Sequence, residues 1–167
     1  VTGGTQGLGF AYAREFGRRG HNVLICGRSQ SSVDAAVAKL APEFPAGARI
    51  VGQAADTAEM VALEALWARG VAEFGRIDIW LNNAGYARTG ARFIDNTPEQ
   101  IEAMVGANVI GSINAAQVAI AGMKQQGGGK LYLTLGGGGA SGRVVPGMTV
   151  YSTTKRAVKY LAGALVK

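Results

Sequence analysis

The chain has 167 residues, of which 48% are hydrophobic and 17% charged. That balance excludes a disordered segment and allows one domain with a sizeable core. The formal net charge is +6 with a pI of about 9.8, yet the basic residues are spread from Arg14 to Lys167 in runs of no more than two. Without interleaved aromatics this argues against a nucleic-acid surface, while attraction to an acidic lipid surface or a polyanionic cofactor stays open. One cysteine, Cys26, excludes an internal disulfide framework and a multi-cysteine metal site, so no metal is expected. No apolar run reaches the roughly 20 residues that span a bilayer, and no basic-then-apolar leader is visible.

In chain order, Val1 reads as the last residue of a strand, followed by the turn Thr2-Gly3-Gly4-Thr5-Gln6-Gly7-Leu8-Gly9 and a helix over 7–19. Glycines let a backbone turn sharply and approach a pyrophosphate, which then rests on free N–H groups at a helix N-terminus. An unliganded tight turn is the alternative. A strand over 22–27 completes a β-α-β unit and places Cys26 as a small buried hydrophobe. His21 follows Gly20 at the helix exit and is expected to face solvent. Helices over 31–41, 58–74, 98–125 and 150–167 alternate with strands near 48–53, 77–81 and 130–135. Such alternation predicts an α/β fold, a doubly wound parallel sheet of the Rossmann type. Thr97 and Pro98 suit the cap and first position of a helix, and Trp67, Trp80 and Phe74 are expected in the core. Gly127–Gly129 reads as a helix-to-strand connection. Gly136–Gly139 falls at the carboxyl end of a strand, where ligands bind in open α/β sheets, and is expected to line a pocket.

The most telling pair of residues is Tyr151 and Lys155, four apart and so on one helix face. An ammonium beside a phenol favours the phenolate, lowering a pKa that starts from about 10. Such a phenol can exchange a proton with a carbonyl or alcohol oxygen. The spacing alone is weak. Combined in order with the glycine turn, Asp56-Thr57 after the third strand, Asn82-Asn83-Ala84-Gly85 after the fourth, Asn108 in the long helix and Pro146-Gly147 before the tyrosine, it resembles the short-chain dehydrogenase/reductase family over essentially all 167 residues.

That resemblance implies a single NADP-binding domain over 1–167, truncated at both ends, lacking the start of its first strand and the C-terminal substrate segment. It implies hydride transfer between a nicotinamide and a carbonyl carbon. Tyr151 is the expected proton donor, Lys155 the residue that binds the nicotinamide ribose and holds down the tyrosine pKa, and Asn108 the anchor of a relay water. The cofactor is expected against Gly3, Thr5, Gln6, Gly7, Leu8 and Gly9, against Asp56 and Thr57, and against Asn83, Ala84 and Gly85. Arg28 and Ser29 end the second strand where an NAD-specific relative carries an acid, which predicts NADPH through charge-assisted bonds to a 2′-phosphate.

One position departs from the family. Its serine lies thirteen residues before the tyrosine, and here that position is Gly138; the nearest hydroxyl is Ser141, ten before. Either Ser141 reaches the substrate oxygen, or a backbone N–H of the glycine run replaces it, or the protein is inactive. The segment Leu131–Arg143, with Asn22–Ser29, Ile77–Gly85 and Tyr151–Arg156, is similar to the chlorophyll(ide) b reductase group of the family. In that group NADPH reduces the C7 formyl of chlorophyll b to a hydroxymethyl. By the same resemblance the expected setting is the chloroplast, stromal side of the thylakoid, with a homo- or hetero-oligomer and peripheral contact to membrane or light-harvesting complex. A family reductase for a small ketone, sugar or acyl-carrier substrate and a non-catalytic NADP-binding subunit are the alternatives.

Overall fold

The structure is a computed structural model and describes residues 1–140 and 143–166; the expectation for Ser141 therefore lies outside the described residues. The elements run α1 (Gly7–Arg18), β1 (Val23–Gly27), α2 (Gln30–Leu40), β2 (Ile50–Ala54), α3 (Met60–Phe74), β3 (Ile79–Asn82), α4 (Pro98–Val105), α5 (Gly111–Gln125), β4 (Lys130–Leu133) and α6 (Thr149–Leu165).

β1 pairs in parallel with β2, and β3 in parallel with β4. Val1 and Thr2 join the two pairs: Cys26 N–H donates to Val1 O at 3.2 Å and Thr2 N–H to Leu81 O at 3.0 Å. The strands therefore lie in the order β2, β1, Val1–Thr2, β3, β4, the doubly wound arrangement expected from the alternation. On the other side of Val1, the space between β1 and β3 is a cavity of about 340 Å³ bordered by Leu24, Leu66 and Trp80.

Side chains of β1 alternate between two cores, as the pleat requires. Val23 and Ile25 pack with Ala13, Val33, Ala36 and Leu40 under α1 and α2, while Cys26 packs with Leu63, Leu66, Ala115 and Ala119 under α3 and α5. Fully burying residues such as Ile25, Leu40 and Leu63 stabilises the fold by about 2 kcal/mol each. Burial pushes the Cys26 thiol up, which suits the inert role expected for it. Trp67 stacks on Trp80 with centroids 5.9 Å apart.

The stretch expected as one helix over 98–125 is interrupted. Thr97 caps α4 through a reciprocal box with Gln100, but Gly106–Ile110 forms a π-turn before α5 begins. A π-turn rotates the helix face locally and is frequent at functional sites; here it carries Asn108 inward. By length and composition alone Pro98–Gln125 could cross a membrane, with mean hydropathy 1.4. Within this fold it packs on α3 and α6.

Candidate active site

The glycine turn is built from below by Thr2, which is 1% exposed. Its hydroxyl accepts from Asn83 N–H at 2.9 Å and Ala84 N–H at 3.0 Å. Asn83 in return donates its amide to Thr2 O at 3.2 Å and Gly3 O at 3.3 Å. The turns after Val1 and after β3 are thus locked together at the carboxyl end of the sheet. Asn83 and Ala84, expected as cofactor contacts, act first as braces of the turn. Thr2 was not singled out from the sequence, although its place one residue past a strand end is where such a brace belongs.

Above this brace the first turn of α1 is open. Gln6 gives no side-chain cap, no acid lies in the first turn, and the first intrahelical bond is Phe10 N–H to Gln6 O. The N–H groups of Gly7, Leu8 and Gly9 have no intrahelical acceptor, and the helix dipole adds positive potential there. A Cβ on Gly9 would overlap Gly3 O and the Asn83 amide. This cradle fits the pyrophosphate of a dinucleotide, with Gln6, Gly7 and Leu8 exposed towards it. A Cβ on Gly27 would lie 2.7 Å from Thr5 Cγ2, so Arg28 and Ser29, next in the chain, emerge beside the cradle. Both are exposed, and Arg28 makes no hydrogen bond or ion pair among the described residues. Asp56 is exposed and accepts from Ala58 N–H at 2.9 Å. Thr57 is 5% exposed and packs on Gly111 of α5, so its side chain serves the core and leaves only its main chain for a ligand.

Asn108, fully buried, is the hub between the cradle and α6. Its Oδ1 accepts from Tyr86 N–H at 2.8 Å, and its Nδ2 donates to Tyr86 O and to Thr154 Oγ1, both at 2.9 Å. Both amide protons are used. The amide is thus first a clamp between Tyr86 and Thr154, and only Oδ1, which accepts a single bond, keeps a lone pair for the relay water expected there. Asn108→Ala should destabilise the fold by about 2–4 kcal/mol, since buried partners are left unsatisfied. A chemical-denaturation series checks this, with Asn108→Asp separating the acceptor from the donor role.

On α6, Lys155 is 4% exposed and donates from Nζ to Thr134 O at 3.1 Å. Nζ lies 5.9 Å from the centroid of the Tyr151 ring. Burial pushes the ammonium down from its usual value and the phenol up. Burial of the phenol thus opposes the lowering expected from Lys155, whose ammonium stands at the edge of the ring and not in contact with the hydroxyl. Burial favours the neutral O–H of Tyr151, the form that can donate a proton.

The glycine run closes on this face more tightly than a pocket lining would. A Cβ on Gly136 would collide with the Tyr151 hydroxyl, one on Gly138 would lie 2.5 Å from Ser152 Oγ, and one on Gly139 2.8 Å from Lys155 Cβ. Gly137 alone has room, with Met148 Cε 3.6 Å away. The position that faces the tyrosine hydroxyl is therefore 136, and not 138, where spacing had placed the family's serine. Gly138 also has φ of 76°, which a serine would adopt only under strain.

Comparison with known proteins agrees with this arrangement. The short chain dehydrogenase family matches residues 1–167. A probable chlorophyll(ide) b reductase, chloroplastic, of Arabidopsis thaliana is 34% identical over all of this chain and 36% of its own length. A second chlorophyll(ide) b reductase of that plant is 35% identical over 99% of this chain and 47% of its own. The oxidoreductase asL5 of Sarocladium schorii is 38% identical over 97% of this chain and 61% of its own. The chain thus spans about half or less of the two plant reductases. Among solved structures, levodione reductase superposes with a TM-score of 0.87 at 27% identity, over 96% of this chain and 61% of that one. With its cradle, clamp and Tyr-Lys helix in one parallel-sheet fold, the chain belongs to the short-chain dehydrogenase family of oxidoreductases.

Proposed function

We propose that the protein is an NADPH-dependent reductase of a macrocyclic formyl pigment, reducing the C7 formyl of chlorophyll(ide) b to a hydroxymethyl. The observation that carries the reading is whole-chain similarity to chlorophyll(ide) b reductases at 34% and 35% identity. A nicotinamide cofactor follows from family membership, and its bound form supplies a hydride to the carbonyl carbon. The Tyr151 hydroxyl gives its proton to the carbonyl oxygen as that oxygen gains charge, and the formyl leaves as a primary alcohol. Lys155, one helical turn away, favours the phenolate left behind and is placed to hold sugar hydroxyls. A backbone N–H of the glycine run at Gly136–Gly139 would serve the substrate oxygen in place of a serine.

NADPH over NADH rests on Arg28, exposed beside the cradle with no competing partner among the described residues. Arg28→Asp should weaken NADPH binding by about 10–100-fold and level or reverse the preference, because a charge-assisted fork to phosphate becomes a repulsion. Fluorescence titration with both cofactors checks it, and equal affinity of the native protein for the two would sink the assignment. The two plant relatives are chloroplast proteins, and the reading places this one at pigment-bearing membranes, as an oligomer. Its test is loss of the formyl pigment's absorption band when chlorophyllide b is mixed with protein and NADPH. The 38% identity to the oxidoreductase asL5 favours a second reading, a family reductase acting on another carbonyl; reduction of a small ketone without pigment conversion would select it.

A further inference from the structure

Four buried side-chain polar atoms have no hydrogen-bond partner among the described residues: Arg14 Nε, Glu43 Oε2, Trp80 Nε1 and Arg88 Nε. The first two face each other at 3.3 Å as an ion pair, and Trp80 borders the cavity between β1 and β3. Arg88 is different. It makes no ion pair or hydrogen bond among the described residues, and a guanidinium with a buried donor left unsatisfied is a costly arrangement unless something else satisfies it.

Its position is held on both sides. Two residues before it, Tyr86 is clamped through its N–H and C=O by Asn108. Two residues after it, Gly90 N–H donates to Gly147 O at 2.9 Å, and Gly147 lies four residues before Tyr151. Arg88 therefore lies on a short bridge from the clamp to the segment that leads into α6 and Tyr151. The charge distribution points the same way. Residues 1–102 hold ten basic and eleven acidic side chains, whereas residues 103–167 hold seven basic and none acidic. From Ile79 to Ile94 there is also no acid. The nearest carboxylate along the chain, Asp95, is taken by Arg92 in a bidentate pair at 2.7 and 2.9 Å.

We propose that Arg88 is a substrate-binding residue that pairs with a carboxylate on the carbonyl substrate, selecting the free acid over its ester. The planar guanidinium fork matches a carboxylate in two-point contact, and an acid-free catalytic half raises the local concentration of an anion. The proposal deepens the pigment reading and rests on it for the choice of probe: the acid is chlorophyllide b, with a free propionate, and the ester is its methyl ester at that propionate.

The experiment compares kcat/KM for acid and ester in the native protein, Arg88→Gln and Arg88→Lys, with NADPH affinity as the check of an intact cradle. The native protein should favour the acid by about 10–100-fold, mostly in KM, because the contact is remote from the reacting carbon. In Arg88→Gln the acid-to-ester ratio should fall towards one, and Arg88→Lys should restore part of it. A native protein without acid preference, or a Gln variant that keeps the native ratio, overturns the proposal. Should the native protein convert neither pigment, the pigment reading fails by itself. The same comparison on a small aromatic keto acid and its methyl ester then decides Arg88, with absence of an Arg88-dependent acid preference there counting against it.

Discussion

Tyr151→Phe should lower the turnover number by about 10³-fold while NADPH affinity stays within about twofold, because the substitution removes only a transferable proton. The ring of Tyr151 on α6 and its packing beside Gly136 are kept by Phe, so loss of fold does not explain the outcome. Lys155→Met should lose turnover to a similar extent, yet should melt no lower than the native protein, since it replaces a buried ammonium with one carbonyl acceptor by an apolar chain of like length. The pH dependence has a definite sign. Reduction needs the protonated phenol, and burial raises its pKa above the ordinary value of about 10. The reductive rate should therefore hold through neutral pH and fall only on the far alkaline side. A falling limb well below pH 10 that disappears in Lys155→Met would show instead that the ammonium's field outweighs burial. Stopped-flow single turnovers, where chemistry limits the rate, make the comparison.

Gly136→Ala should cost about 100-fold in turnover, while Gly137→Ala, one residue on, should cost little. At 136 the added methyl would occupy the place of the Tyr151 hydroxyl, and at 137 it would only touch Met148. Displacing a reacting group by about 1 Å is enough for a loss of that size. Gly138→Ser, which spacing alone would present as restoring a family hydroxyl, should lose activity too, through a strained backbone and contact with Ser152. Turnover and near-ultraviolet circular dichroism on the three variants separate a displaced tyrosine from a lost fold. Near-native turnover in Gly136→Ala would contradict the placement of the glycine run.

The alternation of elements and the two ends of the site were legible because they follow from local rules. Glycines before a helix, Thr97-Pro98 at a helix start and apolar runs of strand length need no tertiary information. What sequence could not show is set by contacts distant along the chain. The π-turn at Gly106–Ile110 exists where Asn108 reaches Tyr86 and Thr154, and neither partner is marked by spacing. Thr57 looks like a ligand contact until Gly111 covers it. The sign of the Tyr151 shift depends on how deeply α6 is covered, which a Tyr-Lys spacing does not encode. Counting back from Tyr151 also misplaced the glycine that faces it, because the path of the loop, not its length, decides which Cα points at the hydroxyl.

Under the proposed function, a hydride from NADPH would reach the C7 carbon of the pigment while Tyr151 protonates its oxygen. Chlorophyllide b should be incubated with the protein and NADPH deuterated on each face of nicotinamide C4 in turn, and the isolated product examined by mass and proton spectra. One deuterium at the C7 hydroxymethyl carbon, from one labelled face only and absent with Tyr151→Phe, is the predicted result. A protein that transfers the label to a small ketone while leaving the C7 formyl intact would contradict it.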